Sequence, residues 1–63
     1  MNQIVVYKGI MVEPLERSGS KILIRTKNPS DAKKADIPFS RLENGVALFE
    51  TWAPETELVA VNS

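Results

Sequence analysis

Short apolar runs, rich in β-branched residues and separated by turn-forming residues, recur along the whole chain. The runs cover residues 4–15, 21–27, 37–42, 46–52 and 58–61. Runs of this kind are typical of strands, and turn signals about every 8–12 residues are typical of a small barrel or sandwich. We therefore predict an all-β fold with at most one short helical turn, in a single domain spanning residues 1–63. Its architecture is expected to be a five-strand antiparallel barrel or sheet, with an SH3-like arrangement as one option.

Glycine and proline indicate where these strands bend or end. Gly9 lies inside the first run and predicts either a bend or two short strands in place of one. Residues 16–20 form a polar turn that joins the first two runs as an antiparallel hairpin. Asn44 and Gly45 favour the primed turns that close hairpins. Pro38 restricts the run around it to an edge strand or an extended connector.

Residues 28–35 are the helix-compatible segment of the chain. Ser30 is placed to act as the N-cap, Asp31 follows in the first turn, and Lys33 and Lys34 lie near the C-terminal end. We predict a single helical turn here, stabilised by packing against the rest of the domain.

The 63-residue chain contains no cysteine and no histidine, which limits both its stability and its chemistry. A chain this short has a thin core, and neither a disulfide nor a zinc site can supplement it here. A well-packed minimal sheet, or burial of extra surface by self-association, remains as a route to stability. The same absence excludes a Ser–His–acid triad and a thiol nucleophile, and the three isolated glycines form no phosphate-binding loop. We expect no enzyme, no cofactor and no metal site.

Charge is balanced overall but polarised along the chain. The formal net charge is zero, yet residues 17–34 hold six basic residues and one acidic residue, and residues 43–63 hold four acidic residues and no basic one. One interpretation is a nucleic-acid site whose basic side chains follow the phosphates. Its candidate residues are Lys21, Arg25, Lys27, Lys33, Lys34 and Arg41. The other interpretation, favoured by net neutrality and few aromatic residues, is that these charges pair across strands with the acidic third of the chain.

Apolar residues on both faces of the first run predict a partner surface. In a continuous strand one face would carry Val5, Tyr7 and Met11, and the other Ile4, Val6, Ile10 and Val12. Either Gly9 rotates the strand so that both sets reach one core, or one set contacts a partner such as a second copy of the chain. Trp52, at a strand end beside a proline-containing loop, is either a core anchor or a contact residue. The candidate partner-binding residues are therefore Trp52, Tyr7 and Met11.

These observations favour a small non-catalytic binding or adaptor module that acts through protein–protein contact, with a homodimer as one form of that contact. The alternative is a nucleic-acid-binding small β-barrel that uses the basic residues between positions 21 and 41. Lys8 interrupts the first apolar run after four residues, so we expect neither a signal peptide nor a membrane span. A chain without cysteine fits a reducing compartment, and we expect a cytoplasmic protein.

Overall fold

The structure is a computed structural model that describes residues 4–61. Its elements are β1 (Ile4–Tyr7), β2 (Ile10–Ser18), β3 (Lys21–Thr26), α1 (Pro29–Ala35), β4 (Phe39–Glu43), β5 (Val46–Pro54), a 3₁₀ turn (Glu55–Glu57) and β6 (Leu58–Val61). The strand order is β4-β5-β3-β2-β1-β6, and all five neighbouring pairs are antiparallel. The sheet is not closed, because β4 and β6 each pair with one strand only. The predicted all-β class is confirmed, and the SH3-like arrangement stays a prediction.

The first apolar run divides into two strands at a two-residue turn, so the sheet has six strands where five runs are visible in the sequence. Lys8 and Gly9 both have positive φ, at 48° and 84°, as a type I′ turn requires. This turn pairs Tyr7 with Ile10. A two-residue turn reverses the odd–even alternation between the two strands, so residues 5 and 7 share a face with residues 10 and 12. The expectation that Tyr7 and Met11 lie on one face is wrong for this reason.

The strand β2 takes part in both halves of the sheet. Its first residues pair with β1, and residues 13–18 pair with β3. The register with β3 shifts between Pro14 and Glu16, which is a β-bulge. Bulges bend a strand and increase its local twist, so β2 bends just after its partner changes from β1 to β3. The hairpin turn that follows is Gly19 and Ser20 alone, shorter than the predicted turn over residues 16–20.

The core lies on the inner face of the sheet, between the strands and α1. Its buried residues are Val5, Tyr7, Ile10, Val12, Ile24, Ala32, Ala35, Ile37 and Ala53. The helix contributes two alanines three positions apart, which allows it to pack closely on the sheet. The strand that follows Pro38, β4, lies at the edge of the sheet as predicted. No helix within residues 4–61 has the length and apolar content needed to cross a membrane.

The helix begins at a different cap from the one predicted. The side-chain oxygen of Asn28 accepts hydrogen bonds from the backbone N–H groups of Ser30, at 2.9 Å, and Asp31, at 3.3 Å. Asn28 has an extended backbone, and Pro29 occupies the first helical position, where its missing N–H costs nothing. Ser30 is therefore inside the helix, and its prediction as the N-cap is wrong.

Replacing the cap should therefore destabilise the domain. We expect Asn28→Ala to lower the free energy of unfolding by about 1 kcal/mol, because two helix N–H groups lose their acceptor. The matched change Ser30→Ala should alter it by less than about 0.5 kcal/mol. Equilibrium unfolding in urea measures both values. A larger loss for Ser30→Ala than for Asn28→Ala would contradict the assignment of the cap.

Candidate functional site

The outward face of β6, β1 and β2 is covered by apolar side chains. The register pairs Ile4 with Val61, and pairs Val6 with both Val59 and Met11. Residues opposite each other on antiparallel strands project to the same face, and their side chains are close enough to touch. This face is turned away from the core, since the alternate residues of β1 are buried. We call these five residues the apolar stripe.

Most of the apolar stripe is accessible to solvent. Met11 is 65% exposed and Val59 is 61% exposed, while Ile4 and Val61 are also exposed and Val6 is partly buried. Burying such side chains against a partner is favourable by about 25 cal/mol per Å² of apolar area. The apolar stripe is therefore a surface whose burial would be favourable.

A row of ion pairs crosses the outward face beyond the apolar stripe. Register places Glu13 opposite Arg25, and Arg25 opposite Glu50. Arg25 lies 3.4 Å from the Glu13 carboxylate and 4.0 Å from that of Glu50, and Arg41 on β4 lies 3.2 Å from Glu50. The row runs across β2, β3, β5 and β4, and Arg41 also pairs with Glu43. We call it the ion-pair row.

The ion-pair row contains two of the six predicted basic residues. Arg25 and Arg41 are brought together on Glu50, whose side chain is only 11% exposed. Lys21 begins β3 and Lys27 follows its last residue, roughly 20 Å away at the rise of an extended strand. The other two predicted residues, Lys33 and Lys34, are exposed in the last turn of α1. The structure thus places the six residues on several surfaces.

The three predicted partner-binding residues also lie in different environments. Met11 belongs to the apolar stripe. Tyr7 is instead buried in the core at 8% exposure, with the Lys8 ammonium nitrogen 5.2 Å from its ring centroid. Trp52 is 44% exposed and faces Leu23 on the outward side of the sheet. The ion-pair row lies between Trp52 and the apolar stripe.

Sequence reasoning missed the contribution of β6 to this surface. Val59 and Val61 come next to β1 through a pairing between residues more than 50 positions apart. No local pattern encodes so distant a pairing. The available signal was that residues 58–61 carry no charge and follow a strongly acidic segment.

On the inner side, a small groove opens between β6 and the β2–β3 hairpin. Its volume is about 240 Å³, and its lining residues are Val5, Pro14, Arg17, Ile22, Glu55, Leu58 and Ala60. Ligand pockets usually have volumes of about 300–1,000 Å³, so this groove is small for an organic ligand. Within residues 4–61 no three acidic side chains come together as a metal site would require.

An ion pair between Arg17 and Glu55 contributes to the lining of this groove. The hydrogen bond and the positive charge from Arg17 lower the pKa of the Glu55 carboxyl below its ordinary value. The same contact raises the pKa of Arg17. Both side chains are about half exposed, so solvent screens the pair.

The lowered pKa of Glu55 predicts that the folded state loses stability as the pH falls. A lowered carboxyl pKa favours the folded state at pH values above the unfolded pKa, and that contribution is lost as the pH falls through the folded pKa. We expect Arg17→Gln to raise the pKa of Glu55 towards its ordinary value, as measured by an NMR titration of side-chain carboxyl carbons. Arg41→Gln, which removes a different ion pair, should leave the pKa of Glu55 unchanged. An unchanged Glu55 pKa in Arg17→Gln would show that the pair is absent in solution.

Comparison with known proteins gives no relative for this chain. No protein-family model, no curated protein and no solved structure matches it significantly.

Proposed function

We propose that this chain is a small non-catalytic binding module that acts through protein–protein contact, with the apolar stripe as its docking surface. The observation that supports the proposal is the continuity of the apolar stripe across three neighbouring strands. Among the described residues, four of the nine exposed large apolar side chains belong to it. Contiguous apolar patches on small proteins mark interaction sites more often than single exposed residues do.

The distribution of charge supports a protein partner. A nucleic-acid surface needs basic side chains that are free to contact phosphates along a continuous path. Arg25 and Arg41 instead have carboxylates beside them. The apolar stripe contains no charged residue, and the chain has no net charge to attract a polyanion.

The chemistry of the chain supports a role without catalysis. The sequence contains neither histidine nor cysteine, and Glu13, Glu43 and Glu50 are engaged in ion pairs on the surface of the sheet. These carboxylates already have arginine partners, and none of the three lines the groove beside β6. The absence of cysteine supports a reducing location, and we place the module in the cytoplasm.

Site-specific photocrosslinking tests this function in the cells that produce the protein. We expect a benzophenone amino acid at Val59 to crosslink to a defined protein, because Val59 lies in the apolar stripe. The matched position is Leu42, an exposed apolar residue on the opposite edge strand, and it should not give that product. The crosslinked protein, another copy of the chain included, is then purified for binding measurements by calorimetry.

The binding measurement compares two variants, each of which replaces an exposed apolar residue by glutamate. Met11→Glu should weaken binding about tenfold or more, because it places a charge in the contact. Leu42→Glu should change binding little. Equal weakening by both variants, or crosslinks from Val59 to nucleic acid alone, would contradict the proposed function.

A further inference from the structure

We propose that the open edge of β6 pairs with β6 of a second copy of the chain, antiparallel and related by a two-fold axis at Ala60. The two six-stranded sheets then form one continuous sheet. This inference deepens the proposed function, on which it rests, by naming the partner as a second copy.

The two edge strands differ in how well they are protected from pairing. Exposed edges are usually protected by charged residues, proline or bulges. The edge strand β4 has all three features: Pro38 precedes it, its register shifts between Phe39 and Arg41, and it carries Arg41 and Glu43. The edge strand β6 has none of them within Leu58–Val61 and pairs with β1 without a register shift. The unprotected edge is therefore β6.

The backbone of β6 presents Ala60 to this edge. The N–H of Leu58 donates to the carbonyl of Glu55, so it is directed away from β1. In an antiparallel ladder, successive residues direct their backbone groups to opposite sides. The backbone N–H and C=O groups of Val59 and Val61 therefore face β1, while those of Ala60 face the open edge.

A two-fold axis at Ala60 gives the N–H and C=O groups of this residue hydrogen-bond partners in the second copy. Ala60 of each copy then donates to and accepts from Ala60 of the other. The neighbouring pairs place Val59 of one copy beside Val61 of the second copy on the outward face, where non-hydrogen-bonded pairs bring side chains close. Symmetric pairing of identical surfaces is the commonest form of dimer.

Three properties of the chain favour a second copy over another partner. The apolar stripe reaches the β6 edge, so a two-fold pair joins two apolar stripes without a charged residue between them. The formal net charge of zero creates no overall repulsion between copies. A 63-residue chain has a thin core and gains stability from any surface that a second copy buries.

Sedimentation equilibrium over a concentration series tests the inference, with the backbone group at Ala60 as the variable. We expect a dimer that dissociates on dilution. Ala60→Pro should raise its dissociation constant about tenfold or more, because it removes only the outward N–H. Ala60→Ser keeps the N–H and should have little effect. Amide NMR spectra check that β6 still pairs with β1 in the proline variant.

A pair of oppositely charged substitutions tests the register of the β6–β6 pairing without proline. It also tests whether β6 pairs at all if the proline variant fails to fold. Val59→Lys and Val61→Glu should each weaken self-association, and an equimolar mixture of the two should form a heterodimer in preference to either homodimer. That preference arises because the introduced ammonium group lies beside the introduced carboxylate only when β6 pairs in this register.

Two outcomes would overturn the inference and can be told apart from failure of the proposed function. A monomer at all concentrations that still binds another protein through the apolar stripe would exclude β6 pairing and leave the proposed function intact. A dimer that is abolished by Met11→Glu but unaffected in a folded Ala60→Pro variant would assign the contact to the face of the sheet. If the chain is a monomer and no protein crosslinks to Val59, both proposals fail.

Discussion

The two-residue turn at Lys8 and Gly9 is the constraint on which the rest of the structure depends. Because it pairs Tyr7 with Ile10, residues 5, 7, 10 and 12 enter the core, while residues 4, 6 and 11 lie on the outward face. A shift of one residue would exchange the two faces of a strand. The turn also positions β1 to receive β6 on its other side. The backbone conformation of Lys8 and Gly9 therefore decides which residues of β1 and β2 enter the core and which belong to the apolar stripe.

The charged residues divide the outward face into two parts with different properties. Glu13, Arg25, Glu50 and Arg41 follow one another across four strands, so that positive and negative charges alternate along the ion-pair row in that half of the face. Individual surface ion pairs contribute little stability, because solvent screens them. The other half carries side chains that gain free energy when they leave water. A partner that covers the apolar half does not have to separate the ion pairs.

Local sequence signals predicted much of the fold, and non-local pairing accounts for most of what they missed. Residues 21–27 and 46–52 alternate as strands do, and the turn at Asn44 and Gly45 has the predicted positive φ at both residues. Met11 was identified as a surface candidate because the first run has apolar residues on both faces. The odd–even reversal at the Lys8–Gly9 turn places Tyr7 with Ile10 on the core face and Met11 on the opposite face. The pairing of β6 with β1 joins the two ends of the described chain. Neither can be deduced from composition or periodicity.

Solvent accessibility of individual methyl groups tests most directly whether β1 and β2 present Met11 outward with β6 beside them. A soluble paramagnetic chelate broadens NMR signals in proportion to their exposure, and can be applied to dilute protein. We expect strong broadening of the Met11 and Val59 methyl signals and weak broadening of those from Ile10 and Val12. The reverse pattern, with Met11 protected and Ile10 accessible, would show the opposite register at the Lys8–Gly9 turn and would exclude the apolar stripe as an exposed surface.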